Sequence, residues 1–392
     1  MTQNYDAIVI GGGITGAWIS LELARLGADR VLLIEKSFPG AGSTGNSSAI
    51  LSQDDCYEIP IRMASFSLER YASFQAENGL DIGFRRVGMV CIADASEEAS
   101  LRASVTLQNQ NHVQASVIGP DELRELEPEA VFNADDRALW DPDAGTVQPA
   151  KTVHACLEAA RRQGVETRFG VAVRAIEVEG GRVTGVRLSD GVKVSGPHVI
   201  NAAGPWAKQL LKTIAPDLPL RSIRREQAYF EPPVTEPARR TIFCDTVTGL
   251  YWKPEDAGWT RVGQLSFEDA AEVDPDHFDE GIAGEFIHRC RRGISERLPS
   301  LGASPSKGGG AALYTVTPDS RAIVGTVPGV EGLTVVAGAS GHDFKFGPAV
   351  GRGVAGMVVG GDTGPFDPAF FSVDRFCGVR AAGGRAPFRI LG

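Results

Sequence analysis

The sequence predicts a mixed α/β (α+β) fold in which one domain is built on a parallel sheet and a discontinuous second domain on an antiparallel sheet. Three observations predict it. The chain opens with a short apolar strand, a glycine-rich turn and an apolar helix. Short alternating strands separated by Gly-Gly and Asp-Gly turns follow in the middle of the chain. At 392 residues the chain is too long for one simple core, so we expect two domains.

The opening segment has the order of a Rossmann-type βαβ unit. Residues 5–10 are predicted to form a buried strand, residues 17–26 have helical spacing, and a second apolar strand ends on Glu35. Strand, glycine turn, helix and acid in this order constitute the dinucleotide-binding fingerprint. The opening therefore predicts a nucleotide-binding domain.

The glycines of this turn have separate roles. Gly11 permits the tight turn, Gly13 lets the backbone approach a pyrophosphate, and Gly16 lets the helix lie close to the sheet. The helix amino-terminus offers free N–H groups and the positive end of a dipole to the phosphates. Glu35, 19 residues after Gly16, is placed to accept hydrogen bonds from an adenosine ribose.

The remaining elements follow from periodicity and turn residues. The Gly/Ser-rich segment 37–51 either wraps the nucleotide or is a flexible linker. Helices are predicted at 60–75, 97–111, 120–126, 153–163, 281–298 and from Pro348. Strands are predicted as a pair within 84–93 and at 198–203, 222–230, 249–253, 259–266, 310–314, 321–325 and 333–337, with 135–148 rich in turns. The strands 165–169, 172–178, 182–188 and 192–194 are predicted to form a small antiparallel sheet.

These elements suggest a division of the chain. We expect residues 1–83, 146–215 and 310–375 to form the nucleotide-binding domain, and residues 84–145 and 216–309 to form the substrate-binding domain. Residues 376–392, rich in Gly, Ala and Arg, are expected to be a loosely ordered carboxyl tail.

Composition excludes several classes of function. The net charge of −10 and the lack of Lys/Arg runs argue against a nucleic-acid or anionic membrane surface. No apolar stretch approaches a membrane span, and no secretion signal precedes the first strand, so we expect a cytoplasmic protein. The six cysteines show no paired spacing, which predicts reduced thiols and no metal site. The oligomeric state stays open.

The segment 338–351 repeats the logic of the opening, with a buried strand running into glycines at a helix amino-terminus. Lys345 stands at this junction. A lysine in an apolar setting needs an anionic partner, so it either anchors a ligand carboxylate or forms a structural ion pair. The residues alone favour the ion pair. His342 either tunes a bound ring system or is a structural histidine, and both readings stay open.

Four motifs together with the opening fingerprint carry a family resemblance. They are the segments 42–45 (Gly-Ser-Thr-Gly), 201–206, 313–319 and 338–346. In this order they resemble the D-amino-acid oxidase superfamily, and they are most similar to its sarcosine oxidase and glycine oxidase branch, over about residues 4–375. The resemblance implies FAD as cofactor and a two-domain fold. It also implies oxidation of a carbon–nitrogen bond beside a carboxylate by hydride transfer to the flavin, followed by imine hydrolysis, with oxygen or another molecule as acceptor.

The resemblance also implies site residues. The cofactor would contact Gly11, Gly13, Gly16, Glu35, Lys36, Ser43, Thr44, Ser48, Val173, Gly204, Gly341, His342, Phe344 and Lys345. Because the lysine of the last motif binds the substrate carboxylate in sarcosine oxidases, Lys345 becomes the expected substrate anchor. The candidate catalytic and substrate-binding set is completed by Tyr251, Lys253, Arg261, Tyr314 and His342.

Departures from the family pattern refine these expectations. Ala312 stands where monomeric sarcosine oxidases attach the flavin through cysteine, and residues 46–48 lack the attaching histidine of dimethylglycine-type enzymes, so FAD is expected to be non-covalent. Arg261 falls near the oxygen-activating lysine, which leaves oxidase and dehydrogenase open. Ser52 and Tyr314 replace the carboxylate-binding arginines of sarcosine and glycine oxidase.

Basic residues on the predicted roof strands bear on the substrate. If two of Arg224, Arg225, Lys253 and Arg261 face inward, the pocket could hold a second anionic group, as in iminodiacetate; otherwise they are solvated strand faces. No strong base is visible. We expect oxidation of a small secondary or N-substituted amino acid, such as sarcosine, glycine or iminodiacetate, with oxygen as the favoured acceptor and H2O2 as a product. The alternatives are a dehydrogenase that passes electrons to a quinone or partner, and an FAD-binding assembly factor without turnover.

Overall fold

The computed structural model describes residues 3–233, 241–267 and 270–376. Beyond Phe376, the predicted tail lies outside the described residues. No described helix combines the length and the apolar character that crossing a bilayer requires.

A six-stranded sheet forms the centre of the nucleotide-binding part. Its strands lie side by side in the order Glu166–Phe169, Val31–Glu35, Ala7–Ile10, His198–Asn201, Leu333–Ala337 and Ile323–Thr326. The first five run parallel, and the last is antiparallel to its neighbour. The four central strands are apolar and almost entirely buried, as expected for a sheet covered on both faces. The predicted Rossmann-type opening is confirmed.

The first helix, Ile14–Arg25, is buried along most of its length between this sheet and other helices. Its closest neighbour is the helix Asp343–Val359. A methyl group added at Gly351 would lie 2.9 Å from the backbone of Trp18, so the absence of a side chain there lets the two helices approach. This packing brings the amino-termini of both helices to the same end of the sheet.

An eight-stranded sheet forms the second part of the fold. Its strands lie in the order Ser306–Val316, Arg221–Phe230, Thr260–Gln264, Leu250–Pro254, Ile242–Asp245, Met89–Ala93, Arg137–Asp141 and Ser116–Ile118. All neighbours are antiparallel except Ile242–Asp245 and Met89–Ala93, where two separate stretches of chain meet. The prediction of a discontinuous, mainly antiparallel sheet is therefore confirmed.

Two small sheets complete the strands. One contains Gln3–Asn4, Lys193–Ser195, Arg182–Leu188 and Val173–Glu179, and the other contains Ile50–Leu51, Gly145–Thr146 and Arg85–Arg86. The α-helices of the described residues are Ile14–Arg25, Glu58–Asn78, Glu98–Gln110, Pro120–Leu126, Pro149–Arg162, Ala207–Leu211, Gly284–Arg297, Pro299–Ala303, Asp343–Val359 and Pro368–Phe371. Short 3-10 helices cover Ala95–Glu97, Gly204–Trp206 and Val373–Phe376.

Two strand predictions are wrong. The strand at 165–169 joins the parallel sheet beside Val31–Glu35 instead of the small antiparallel sheet, because the helix Pro149–Arg162 carries the chain back across that sheet. The segment 135–148 is not only turns, since Arg137–Asp141 pairs along the whole of Met89–Ala93.

The predicted strand pair within 84–93 divides between two sheets. Arg85–Arg86 belongs to the three-stranded sheet and Met89–Ala93 to the eight-stranded one. Gly88, at φ +72°, turns the chain between them, and the ring of Trp140 fills the space that a side chain at Gly88 would need. The turn therefore requires glycine.

The last long helix begins at Asp343, five residues before the predicted start at Pro348. Lys345 consequently lies inside the first turn of the helix instead of ahead of it. The division of the chain into domains stays a proposal, and the strand Ser306–Val316 runs across its boundary at residue 310.

Candidate active site

A cavity of about 710 Å³ opens at the carboxyl ends of the parallel strands. Its walls include Ile10, Glu35, Ala202 and Gly338, each at or just after a strand end. Ligands of open α/β sheets bind at this edge, and the volume is in the range of cofactor sites.

The glycine turn at the cavity floor leaves no room for side chains. Gly11 has φ +111°, and a methyl group there would lie 2.4 Å from the Ala202 carbonyl oxygen. At Gly13 it would lie 2.9 Å from Thr44 Oγ1, an oxygen that already accepts a hydrogen bond from the Ile14 N–H. Gly11, Gly13 and Thr44 all line the cavity. The turn is therefore shaped for a group that lies directly against the backbone.

Gly16 lies behind the turn and does not line the cavity. A methyl group on it would lie 2.0 Å from the Gly11 carbonyl oxygen, so Gly16 lets the first helix pack against the turn. Among the expected cofactor residues it acts through packing and not through contact.

The side chains at the end of Val31–Glu35 are fixed by local partners. The carboxylate of Glu35 accepts hydrogen bonds from the Gly12 N–H at 2.7 Å and the Ser37 N–H at 2.8 Å. Each oxygen keeps a further lone pair for a ligand hydroxyl. The ammonium of Lys36 lies 3.0 Å from the carboxylate of Asp276 and 3.6 Å from the ring centroid of Trp206. Lys36 therefore closes the cavity wall through a pair with Asp276.

The Gly/Ser-rich segment wraps the cavity, as one of the two sequence readings expected. Ser43, Thr44 and Ser47 line it. The hydroxyl of Ser43 is buried and has no hydrogen-bond partner among the described residues. A buried hydroxyl in this state is costly unless a ligand completes its hydrogen bond. Together with the glycine turn, it fits the phosphates and ribityl chain of FAD.

Two basic residues of the roof strands brace this segment from outside. Lys253 Nζ donates to the Ser48 carbonyl oxygen at 2.9 Å, and Arg261 Nη1 donates to the Asn46 carbonyl oxygen at 3.0 Å. Glu255 forms an ion pair with each of them, with its carboxylate 3.1 Å from Lys253 Nζ and 2.5 Å from Arg261 Nε. Burial lowers the pKa of Lys253, and Glu255 opposes that shift. Neither cation lines either cavity, so both support the segment from the side that faces away from the cavities.

The other two roof arginines are also engaged. Arg224 donates to the carbonyl oxygens of Asp279 and Gly281, and Arg225 to those of Ser266 and Gln264. Neither of them lines a described cavity. The condition for a second anionic subsite, two roof cations facing inward, is therefore not met.

A second, smaller cavity of about 80 Å³ adjoins the first. The two share Ser47, Tyr314, Gly341 and Phe344 as walls. The smaller cavity also contains four of the predicted site residues: Ser48, Tyr251, His342 and Lys345. Burial raises the pKa of Tyr251, which keeps its hydroxyl protonated. The remaining predicted cofactor residues Val173 and Gly204 lie on the wall of the larger cavity.

Lys345 is the buried cation of the smaller cavity, with 7% of its surface exposed. Its ammonium donates to the Asp54 carbonyl oxygen at 2.7 Å and lies 3.9 Å from the Asp55 carboxylate. An ammonium has three donors, so this geometry leaves capacity for a ligand carboxylate. Lys345 thus has an acidic neighbour, as a structural ion pair requires, and also lines the cavity, as a ligand anchor requires.

The sequence reasoning missed three acids at the site. Glu255 binds Lys253 and Arg261, Asp54 lines the smaller cavity, and Asp343 lines the larger one. The side chain of Asp343 is accessible from the cavity. Burial within the protein raises the pKa of Asp343 to about 6. The adjacent acids Asp54 and Asp55, soon after the apolar pair Ile50–Leu51, were an available signal.

The described residues contain no cluster of His, Cys, Asp and Glu that could hold a metal ion. Five cysteines of this part are buried and form no disulfide within it, while Cys377 lies outside it.

Comparison with known proteins gives the family. The family model for FAD dependent oxidoreductases (DAO) matches residues 6–357. Among curated proteins, 4-methylaminobutanoate oxidase (formaldehyde-forming) of Paenarthrobacter nicotinovorans is 27% identical over 96% of this chain, which spans 46% of that protein. Monomeric sarcosine oxidase of Streptomyces avermitilis is 28% identical, with 94% of this chain and 98% of the relative covered.

The chain is also similar to a solved structure over almost its whole length. L-proline dehydrogenase from P. horikoshii superposes with a TM-score of 0.88 and is 25% identical, with 96% of this chain and 98% of the other covered. The chain spans less than half the length of the first curated relative above, but almost the whole of the other two proteins. The resemblance to the sarcosine oxidase branch and the expectation of FAD are confirmed. From residue 6 to residue 357, the chain belongs to the DAO family of FAD-dependent oxidoreductases.

Proposed function

We propose that the protein oxidises the carbon–nitrogen bond of a small secondary or N-substituted amino acid, of the sarcosine or glycine type. The family supports FAD-dependent oxidation, and the similarity to sarcosine oxidase and L-proline dehydrogenase supports a substrate whose nitrogen is beside a carboxylate. An iminodiacetate-like substrate is the less favoured member of this class, because the four roof cations line neither cavity.

The observation that carries the proposal is the position of Lys345. Its ammonium is buried in a cavity that shares four wall residues with the cofactor cavity. A small carboxylate bound to Lys345 would therefore lie next to the cofactor in the larger cavity. A cavity of about 80 Å³ suits a molecule of few heavy atoms. Binding and orientation of the substrate are then the main contributions of these side chains.

The residues of the larger cavity would hold the cofactor. Gly11, Gly13 and Thr44 would lie against its phosphates, Glu35 would accept from its ribose, and Ser43 would complete its own hydrogen bonding there. Bound FAD would supply the two-electron acceptor that the reaction needs. No cysteine or histidine stands at the two attachment positions of the family, so we propose that FAD is held without a covalent bond.

The similarity to proteins named as oxidases favours oxygen as the electron acceptor, and H2O2 would then be the product. A dehydrogenase is the second candidate, because Arg261, which falls near the position of the family's oxygen-activating lysine, contacts the Gly/Ser-rich segment and lines neither cavity. The similarity to L-proline dehydrogenase favours the same candidate.

A screen of anaerobic flavin bleaching tests the proposal. Purified protein with FAD is mixed without oxygen with sarcosine, N-ethylglycine, glycine or L-proline, and the flavin absorbance is followed. We expect rapid bleaching by at least one secondary amine. Bleaching by none of them would contradict the proposal and favour an FAD-binding assembly factor.

Reoxidation identifies the acceptor. The bleached protein is divided between air, with a peroxide assay, and an anaerobic quinone-type dye. Stoichiometric peroxide supports the oxidase, whereas dye reduction without peroxide supports the dehydrogenase.

A further inference from the structure

The substrate cavity contains a carboxyl group as well as a cation. Asp54 lines the cavity, and only 5% of its surface is exposed. One carboxyl oxygen, Oδ1, accepts a hydrogen bond from Gln108 Nε2 at 3.1 Å, and that amide also donates to Ser104 Oγ at 3.2 Å. Gln108 is fully buried, so this contact fixes the carboxyl group from the side opposite the solvent.

Asp54 and Lys345 are immediate neighbours. The Lys345 ammonium donates to the backbone carbonyl of Asp54 at 2.7 Å, and both side chains line the smaller cavity. In an α-amino acid the carboxylate and the nitrogen are attached to the same carbon. A cation and an acid that line one small cavity can therefore bind both groups of such a molecule. The cavity has both a cation and an acid.

We propose that Asp54 binds the ammonium group of the substrate and accepts its proton. This inference rests on the proposed function, because it assigns the second half of a substrate whose carboxylate is on Lys345. The first half alone would also suit a carboxylate without an amine. Asp54 therefore explains why the site would select an amino acid.

The proton transfer is balanced within the cavity. One N–H bond of the substrate ammonium breaks, its electron pair stays on nitrogen, and an O–H bond forms on the Asp54 carboxylate. The neutral amine is the species that can lose hydrogen with its electron pair from the adjacent carbon. After turnover the proton leaves Asp54 to water. No further reactant is needed.

The surroundings of Asp54 suit this exchange. Burial raises its pKa to about 7, Lys345 opposes the shift, and Asp55 and Asp141 add to it. A base with a pKa near the working pH transfers protons in both directions. The other titratable groups at the cavity are the thiol of Cys244, the hydroxyls of Tyr251 and Tyr314, and the imidazole of His342. The charge of Asp54 also contributes to the raised pKa of the Cys91 thiol, which lies on a neighbouring strand.

Methoxyacetate tests the charge of Asp54 without turnover. It is the oxygen analogue of sarcosine, so it offers a carboxylate to Lys345 but no proton to Asp54. We expect its affinity for the FAD-containing protein, measured from the change in flavin absorbance, to fall by about tenfold per pH unit above the Asp54 pKa, because binding beside an acid takes up one proton. The variant Asp54→Asn should bind methoxyacetate with no such fall between pH 6 and 9.

Asp55→Asn is the matched control. It removes the neighbouring carboxyl group, which does not line the cavity, and should keep the fall of about tenfold per pH unit, with the onset moved to lower pH because Asp55 raises the Asp54 pKa. The amine half is tested with whichever of sarcosine, N-ethylglycine, glycine or L-proline bleaches the wild-type flavin. We expect Asp54→Asn to slow that bleaching at pH 8 by about a hundredfold or more while retaining FAD, as for loss of a general base.

The outcomes separate the two proposals. A flat pH dependence in the wild type, an unchanged dependence in Asp54→Asn, or equal bleaching rates would overturn the role of Asp54 and leave the proposed function standing. If methoxyacetate does not bind to the wild type and no amine bleaches it, the proposed function itself is wrong. If the variant does not fold, a flat pH dependence in the wild type still overturns the role of Asp54.

Discussion

The hydroxyl of Tyr71 donates a 2.8 Å hydrogen bond to the backbone carbonyl of Phe344. In an α-helix that carbonyl would accept from residue 348, but Pro348 has no N–H. Tyr71 therefore supplies the donor that the helix Asp343–Val359 lacks. This contact lets the helix begin before the proline, and it places Lys345 in the first turn.

Replacing Tyr71 by Phe should lower the free energy of unfolding by about 1–3 kcal/mol, because it leaves a buried carbonyl without a donor. The midpoint of urea unfolding measures the change. Tyr57→Phe, at a tyrosine 37% exposed, is the control and should change stability by less than about 0.5 kcal/mol. Equal midpoints for Tyr71→Phe and the wild type would contradict this account of the helix start.

The start of this helix also shows where sequence reasoning fails. A proline normally marks the first turn of a helix, so Pro348 predicted the start there. The donor that makes an earlier start possible is 273 residues away in the sequence, on the helix Glu58–Asn78. Local periodicity contains no information about such a partner.

Gly16→Ala should loosen the cofactor site although Gly16 does not line it. The added methyl group would lie 2.0 Å from the Gly11 carbonyl oxygen, which belongs to the backbone and cannot turn away. Overpacking of this kind costs about 1–3 kcal/mol, so we expect FAD binding to weaken by roughly tenfold or more.

The dissociation constant of FAD, titrated into apoprotein, measures this effect. Gly284→Ala is the matched control, because Gly284 begins a helix and an added methyl group meets nothing within 4 Å. Undiminished FAD affinity in Gly16→Ala would show that the first helix can shift away from the turn at little cost.

Arg297 holds a buried pair of acids in the eight-stranded part. Its guanidinium lies 2.5 Å from Asp136 and 2.7 Å from Asp245, and 3% of the residue is exposed. Arg297→Met leaves two buried carboxylates without a cation, so we expect a loss of about 3–5 kcal/mol in the free energy of unfolding.

Arg182→Met provides the comparison. Arg182 pairs with Glu331 at 2.6 Å, but both side chains are more than half exposed. Its loss should cost less than about 1 kcal/mol. A similar cost for the two arginines in urea unfolding would mean that burial does not set the strength of these pairs.

Asp54→Asn should stabilise the protein at alkaline pH and not at acidic pH. The folded pKa of about 7 lies above the ordinary value of 3.8, so the folded state favours the protonated acid. The contribution of Asp54 to the free energy of unfolding is therefore present in full below about pH 4 and is lost as pH rises towards 7.

The advantage of the variant should grow over this window to at most about 4 kcal/mol, which is the pKa difference converted to free energy. Urea unfolding of the two proteins at pH 4.5 and pH 8 measures it. A constant difference between them at the two pH values would contradict a raised pKa for Asp54.

The sequence predicted more of the cofactor half of the site than of the substrate half. Gly11, Gly13 and Glu35 belong to one βαβ unit, so their spacing alone was sufficient to predict that they lie together at the larger cavity. The substrate half depends on pairs that are distant in sequence, such as Lys345 with Asp54, 291 residues apart. Which face of a roof strand turns inward is also set by the sheet as a whole. For this reason the sequence could name Lys253 and Arg261 but not their partner Glu255.

The central claim is that Lys345 anchors the substrate carboxylate beside bound FAD. The most direct measurement is the concentration of amine that half-saturates anaerobic flavin bleaching in Lys345→Met and in the wild type. We expect a rise of roughly ten- to a hundredfold, the effect of losing a charge-assisted hydrogen bond, with the flavin content of the protein unchanged. An unchanged half-saturating concentration at full flavin content would contradict the claim.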